Sequence, residues 1–197
     1  MKGNFSQVAD YYECDSFSGI DFSDISIRDY SFQSCDFDSC IFCKNNMFNT
    51  SFRDCTFNKC QIILVILKNT MFSDIQINES KVQGINFSEC NNISFSIDFH
   101  KSILDSVVMF EKNLKRTKYI DCIIKNTDFD NCEMKSCNFS GTKFETTSFH
   151  NCDLEKCDFS KAAGYQIDPA TNKLKDAMFS IPEVLSFLGY LKIKIVD

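Results

Sequence analysis

CDFDSC at residues 35–40 and CTFNKC at residues 55–60 are two copies of one short pattern, in which the first cysteine stands two residues before a phenylalanine. The pattern returns as CNFSGTKF at 137–144 and as CDLEKCDFS at 152–160. Every fifth residue from Tyr12 to Phe87 is apolar or aromatic, and the same holds in a second series from Phe99 to Phe159. A five-residue repeat therefore runs through most of this 197-residue chain.

A period of five fits neither an α-helix nor a two-sided strand. It indicates a chain that turns a corner every five residues and brings one large side chain inward each time. Two positions before each large residue the chain favours Cys, Thr or Ser. We expect this smaller residue to share the interior of a narrow tube, while the other three positions face solvent.

The two series differ in phase by two residues, so the sequence predicts an insertion of two near residues 89–94, in the stretch ECNNIS. One interpretation is a bulge tolerated at a corner. The other is a small projecting loop that a partner could touch.

The repeat resembles the pentapeptide-repeat family, whose consensus is a small residue, Asp or Asn, Leu or Phe, and two further residues. Cys35-Asp36-Phe37, Cys137-Asn138-Phe139 and Cys157-Asp158-Phe159 are typical units. The resemblance implies an all-β fold, a right-handed quadrilateral parallel β-helix with four quintets per coil. On that basis the repeats form about seven coils, a rod of roughly 35 Å at the strand spacing of a β ladder.

The repeat predicts three parts: an N-terminal segment at 1–11, the β-helix at 12–161 and a C-terminal segment at 162–197. Ser180 and Glu183 are spaced as a capping box, which predicts a short helix over 182–189. After this predicted helix, apolar residues alternate with lysines, and the alternation predicts a short strand. An open solenoid end must be covered, so we expect the C-terminal segment to form a cap. The residues expected to cap the solenoid, and to pair two chains, are Val184, Leu185, Phe187, Leu188, Leu191, Ile193 and Ile195.

The C-terminal segment is similar to the tail of gyrase-protecting members of the family, the Qnr, McbG and MfpA proteins, in which this end forms a two-fold dimer. The resemblance implies a non-enzymatic protein that binds DNA gyrase or topoisomerase IV. Such a protein protects the topoisomerase from an inhibitor, a quinolone or a toxin, through DNA-like shape and charge. The alternative is a structural or scaffolding module with a different protein partner.

Ten of the 12 cysteines fall on the small inward position, the exceptions being Cys14 and Cys43. Free cysteine behaves as a small buried hydrophobe, so we expect stacked, reduced thiols. Cys40 and Cys43 have the spacing of a metal-binding pair, but no second pair or nearby histidine accompanies them. His100 and His150 each follow a central Phe and should face solvent. The sequence thus predicts neither a catalytic residue, a metal site nor a cofactor.

The formal net charge is −6, with 21 Lys and Arg against 27 Asp and Glu. This acidic balance argues against direct nucleic-acid binding, which needs clustered cations. The start of the chain lacks a signal-like apolar stretch. The longest apolar run, residues 62–67, is too short to span a bilayer. We therefore expect a cytoplasmic protein that does not contact membranes.

Two surfaces are candidates for partner binding. With four quintets per coil, one face receives a set of carboxylates, which could imitate DNA in a basic groove, although Lys59, Lys118 and Lys161 interrupt that face. A stripe of outward apolar residues is the alternative surface, unless residues 1–11 fold over part of it. The acidic face comprises Asp36, Asp38, Glu79, Asp121 and Asp158, and the apolar stripe comprises Ile41, Phe48, Ile63, Leu64, Ile66 and Phe110.

Overall fold

The computed structural model describes residues 10–23, 25–191 and 193–194. The chain coils into a four-sided parallel β-solenoid of about eight turns. Tyr12 lies opposite Phe32, and Phe32 lies opposite Phe52, so each residue pairs with the one twenty positions further on. The predicted fold class is confirmed.

The strands are two to four residues long and stack into four ladders, which we call faces 1 to 4 in chain order. Face 1 holds Tyr11–Glu13, Ser31–Gln33, Ser51–Arg53 and Met71–Ser73, and single bridges continue it through Asn113, Glu133, Asp153 and Lys173. Face 2 holds Ser16–Ser18, Asp36–Asp38, Thr56–Asn58, Ile75–Asn78, Ile97–His100, Tyr119–Ile120, Asp158–Phe159 and Met178–Phe179.

The other two ladders complete the square. Face 3 holds Ile41–Cys43, Gln61–Ile63, Lys81–Gln83, Ile103–Asp105, Ile123–Lys125 and Lys143–Glu145. Face 4 holds Val108–Phe110, Asp128–Asp130, Ser148–His150 and Gln166–Ile167, preceded by a bridge between Asn46 and Ile66.

The five-residue period arises from the corners. Most strands are followed by a residue with positive φ, such as Asn49, Asp54 or Lys59 at 51° to 57°. Asn and Asp tolerate this left-handed region better than most side chains. Leu64 also adopts it, with φ of 53°, and its side chain lies over Gly84, where a Cβ would come within 2.5 Å of Leu64 Cδ2. Glycine at 84 therefore leaves room for leucine at the corner below.

Aromatic rings fill the interior. On face 2, Phe37 stacks on Phe17 at 5.1 Å and on Phe57 at 4.7 Å between ring centroids. Rings on adjacent faces meet edge to face, as Phe37 does with Phe42 at 5.6 Å. Both arrangements are favourable aromatic geometries. The repeat therefore places Phe37 in contact with rings above, below and beside it.

The small inward residues satisfy the backbone as well as the packing. The Cys55 thiol donates to the carbonyl of Phe32, 23 residues earlier, at 3.4 Å, and the Thr70 hydroxyl makes the equivalent bond to Met47 at 2.7 Å. All 12 cysteines are free. Burial raises the pKa of Cys122 to about 12, which keeps that thiol protonated as a donor.

The two extra residues lie between Asn91 and Ile97, where a loop replaces the face 1 strand of one turn. Ile77 pairs with Phe57 twenty residues earlier but with Phe99 twenty-two residues later. A short 3₁₀ helix, Phe87–Glu89, leads into this corner. The insertion thus shifts the register of all later turns without interrupting faces 2 and 3.

Lys112 holds this loop against the solenoid. It occupies a small inward position and is only 1% exposed. Its Nζ donates to the carbonyl of Cys90 at 2.9 Å and to the side-chain oxygen of Asn92, and it lies 4.8 Å from the ring centroid of Phe95. Burial lowers the pKa of Lys112. The long side chain replaces the thiol or hydroxyl found at this position in most other turns.

The solenoid extends beyond the predicted end at residue 161. Gln166–Ile167 pairs with face 4 and Met178–Phe179 pairs with face 2. The expected seven coils are therefore about eight. A cap was expected from residue 162, but the last turn continues the ladder before the chain leaves it. At the other end, residues 1–9 of the predicted 1–11 segment lie outside the described residues, and Tyr11 already belongs to the first strand.

The C-terminal helix is present as a 3₁₀ helix, Glu183–Leu191. The strand predicted from Leu191, Ile193 and Ile195 is wrong for the described residues, because Leu191 ends the helix and Ile193 has no regular structure. Ile195 lies outside the described residues. Leu191 and Ile193 are 62% and 56% exposed, so their apolar side chains have no buried face against which a strand would pack.

Substituting Lys112→Met should loosen the loop. The variant keeps the apolar stem but removes two hydrogen bonds, each worth about 1 kcal/mol or more to a charged donor. We expect the Ile93 amide, bonded to the Asn91 side chain at 2.8 Å, to exchange hydrogen at least roughly tenfold faster. Hydrogen exchange of the exposed control Lys143→Met should match the unmodified protein. Equal protection of the loop in both variants would contradict this role for Lys112.

Substituting Tyr119→Phe should stabilise the protein. Tyr119 is fully buried in the face 2 aromatic stack, and among the described residues no partner lies within hydrogen-bond distance of its hydroxyl. Leaving a buried hydroxyl unpaired costs about 1–3 kcal/mol. The urea midpoint of Tyr119→Phe should rise, while the exposed control Tyr11→Phe should leave it unchanged. A lower midpoint for Tyr119→Phe would show that the hydroxyl is satisfied.

Candidate partner-binding surfaces

The five predicted acidic residues lie on face 2 and on the corner that follows it. Asp36 and Asp38 flank the inward Phe37 and are both exposed. Glu79 and Asp121 occupy corner positions with positive φ, and Asp158 lies one strand position before its inward Phe. The backbone register therefore places the set along one side of the rod, as the repeat predicted.

The five carboxylates are spread along the rod rather than clustered. Asp36 and Asp158 are six turns apart, about 29 Å at the spacing of a β ladder. The corner column through Glu79 and Asp121 also carries Lys59, Lys101 and Lys161. Face 2 is therefore acidic near its N-terminal end and mixed in sign beyond it.

One cation of this face is already paired. Lys118 Nζ lies 3.3 Å from Asp98 Oδ2, and the Lys118 amide donates to Asp98 Oδ1 at 2.8 Å. Asp121 packs closely on the next turn, since a Cβ on Gly141 would come within 2.0 Å of its Oδ1. At that corner only glycine leaves room for the carboxylate.

The sequence did not reveal a second group of polar contacts, on face 3 around Asp105. This carboxylate is 8% exposed and accepts hydrogen bonds from Asn126 at 3.0 Å, Ser106 at 3.0 Å and Gln83 at 3.3 Å. Lys125 Nζ lies 3.5 Å away. The hydrogen bond from Asn126 and the other polar contacts lower the pKa of Asp105. The group links three turns and has a structural role.

The apolar stripe lies on faces 3 and 4 and on the corner between them. Leu64 is 50% exposed, Ile66 49% and Phe110 41%, whereas Ile41, Phe48 and Ile63 are half-buried. Asn86 separates Ile66 from Val108 along its column. The stripe is therefore two exposed apolar groups, two turns apart, with polar residues between them.

The C-terminal helix covers the end of the solenoid through one ring. Phe187 meets Phe179 edge to face at 4.9 Å and Tyr165 at 6.2 Å between centroids. Val184 and Leu188 are half-buried. The other described residues that were predicted to form the cap are more exposed. These are Leu185, Leu191 and Ile193, at 54% to 62%. Among the described residues, an apolar surface thus remains exposed at this end.

The candidate metal and catalytic residues are not brought together. Cys40 is buried and its thiol donates to the Phe17 carbonyl, whereas Cys43 is half-buried on face 3. His100 is half-buried on face 2 and His150 is exposed on face 4. Within the described residues, no three potential metal ligands cluster. The same residues include no helix long and apolar enough to cross a membrane.

Residues 113–151 and 122–161 match the family model described as pentapeptide repeats. This match falls within a solenoid of the geometry that the family resemblance implied. Residues 113–161 are pentapeptide repeats.

Solved structures extend the likeness over almost the whole fold. One trypsin-treated variant of QnrB1, described as a plasmid-mediated fluoroquinolone resistance protein, aligns with a TM-score of 0.64 and 17% identity. The alignment covers 94% of this pentapeptide-repeat protein and 90% of that chain. A second trypsin-treated QnrB1 variant aligns over the same shares with a TM-score of 0.56 and 17% identity. A search of curated proteins found no match. At this identity the likeness establishes the shared fold.

Proposed function

We propose that this pentapeptide-repeat protein is a non-enzymatic, cytoplasmic binding module that binds DNA gyrase or topoisomerase IV and protects it from inhibitors. The observation that supports this most is the alignment with QnrB1, a fluoroquinolone resistance protein, over 94% of the chain. The partner would be the topoisomerase itself, without direct contact to nucleic acid or a membrane.

The mechanism would be competition for the DNA-binding surface of the topoisomerase. The solenoid is a straight, narrow rod, and residues 1–100 carry the whole net charge of −6. Asp36 and Asp38 project from face 2 near the N-terminal end of the rod, and neither forms a salt bridge to a described residue. A rod with carboxylates at its N-terminal half can enter a basic groove that otherwise holds a duplex.

A supercoiling assay tests both the partner and the surface. Purified gyrase, DNA and ciprofloxacin would be titrated with this protein, and we expect supercoiling to recover. The triple variant Asp36→Lys, Asp38→Lys and Glu79→Lys should lose most of the protection, because it reverses three charges on the proposed surface.

Face 4 supplies a matched control. Asp128 and Asp130 flank the inward Phe129 as Asp36 and Asp38 flank Phe37, and Glu111 occupies a corner of positive φ like Glu79. Lysine at these three positions changes the net charge equally on the opposite face. Absence of rescue with gyrase and with topoisomerase IV would reject the proposed partner. Equal loss in both triple variants would reject face 2 as the binding surface.

The exposed apolar groups favour a second candidate, a scaffolding module with a different protein partner. Leu64, Ile66 and Phe110 are 41% to 50% exposed. Exposed apolar groups that lie together mark a surface that contacts a partner. In that case Phe48→Ser with Phe110→Ser would abolish partner binding, whereas the acidic triple variant would retain it.

We further propose that two chains pair through the C-terminal end. Leu185, Leu191 and Ile193 leave an apolar surface beside the capping Phe187, and a second copy would cover it. Analytical ultracentrifugation should give twice the 22.7 kDa mass of one chain. Leu185→Glu with Leu191→Glu should give the single-chain mass.

The control for pairing is Ile103→Glu with Val108→Glu, since these residues are 36% and 46% exposed on faces 3 and 4. This variant should remain a dimer. A monomeric unmodified protein, or a dimer that only the control variant dissociates, would refute pairing through the C-terminus.

A further inference from the structure

A groove of about 670 Å³ lies on face 1, directly after the inserted loop. The loop forms one wall through Phe95, and the next three turns form the floor and the other wall. The loop replaces a face 1 strand, and this replacement places Phe95 at the edge of the groove. The cationic side chains that line it are Lys115, Arg116, Lys135 and Lys156.

Two of the four cations are already neutralised. Lys115 pairs with Glu133, and Lys135 Nζ lies 2.6 Å from Glu155 Oε2. Within the described part of the chain, Arg116 and Lys156 form no salt bridge. The groove therefore presents two cations without a carboxylate partner, in a protein whose net charge is −6.

One carboxylate, that of Asp98, also lines the groove. Its charge is offset by Lys118, 3.3 Å away on the face 2 side. Charges elsewhere on the rod are screened within about 8 Å at physiological salt. Next to the groove, Asp153 and Asp176 are offset by Lys173 and Lys175. An anion that enters the groove therefore meets a local excess of positive charge from Arg116 and Lys156.

The wall at Phe95 is held in place. Lys112 Nζ lies 4.8 Å from the ring centroid, and Phe87 meets the ring edge to face at 6.1 Å. Phe95 remains half-buried, so part of its ring faces the groove. A fixed aromatic surface beside unpaired cations suits a ligand that carries both an aromatic ring and negative charge.

We propose that this groove binds a small ligand with two or more phosphate groups, of the nucleoside di- or triphosphate class. Arg116 and Lys156 are two turns apart, about 10 Å along the axis, so a single carboxylate would reach only one of them. Arginine and lysine are the residues that bind phosphate oxygens most strongly. The groove volume falls within the range of small-molecule sites, roughly 300–1,000 Å³.

An extended polyanion fits the surroundings less well. Asp153 and Asp176 lie on face 1 and its corner next to the cations, with Lys173 and Lys175 beside them. The charge therefore alternates in sign, and a strand that continued along the rod would meet no continuous row of cations. The charge arrangement therefore favours a compact ligand over a nucleic acid or a long acidic peptide. This inference does not rest on topoisomerase binding.

Isothermal titration calorimetry at physiological salt tests the proposal, with ATP, AMP, tripolyphosphate, a single-stranded oligonucleotide and a polyglutamate peptide as probes. We expect ATP to bind more tightly than tripolyphosphate, which lacks a ring for Phe95, and more tightly than AMP, which has a single phosphate. The double variant Arg116→Asn and Lys156→Asn should weaken ATP binding by about tenfold or more.

Asparagine suits these positions because both have positive φ, at 65° and 60°, and asparagine occupies many corners of the rod. Lys59→Asn with Lys101→Asn is the matched control, since both residues are exposed, have positive φ and lie at another corner. The control removes the same charge and should bind ATP like the unmodified protein.

Three outcomes would overturn the proposal. The first is no binding of ATP or tripolyphosphate at millimolar concentration by the unmodified protein. The second is equal weakening in both double variants, which would show diffuse charge attraction rather than a site. The third is preferential binding of the oligonucleotide or the acidic peptide, which would assign the groove to a macromolecule. None of these outcomes bears on gyrase protection, which the supercoiling assay measures separately.

Discussion

Every feature of this protein depends on the backbone ladder that joins each turn to the next. Because the strands are parallel and the register is twenty residues, each residue lies directly above and below its counterparts in neighbouring turns. Parallel pairing satisfies the amide and carbonyl groups, and the thiols and hydroxyls at the small inward positions satisfy further carbonyls. The aromatic stack follows from the same register, since rings at one position repeat at the spacing of the turns.

The ladder also limits where the chain can vary. Two extra residues inside a three-residue strand would disrupt its pairing with the turns above and below, and they lie instead in a loop between Asn91 and Ile97. The space beneath that loop is filled by Lys112, whose buried ammonium bonds to Cys90 and Asn92. The groove beside the loop is a consequence of the missing strand. The change in register and the proposed binding site therefore both arise from the inserted loop.

Surface properties follow the columns of the ladder more than the local sequence. Asp36 and Asp38 are neighbours along the chain, but Asp98 and Lys118 are neighbours only because one turn separates them. Charges of opposite sign within a column pair and cancel, as Lys135 and Glu155 do on face 1. In the groove, Arg116 and Lys156 form no salt bridge with a described residue.

The sequence by itself determined the fold class, the inward residues and the approximate place of the insertion, because a strict five-residue period allows one large side chain per corner. It also placed the five acidic residues on one side, since their columns follow from counting. Tertiary structure alone decided the rest. The five-residue series is interrupted at Gly164 and Pro169, so the repeat ended too early in the prediction, although Phe179 lies twenty residues after Phe159 and pairs with it. The burial of Lys112 and the groove at Arg116 arise from contacts across turns at the corner where the repeat is broken. The exposure of Leu185 arises in the helix that follows the last turn, and no periodic pattern carries either kind of information.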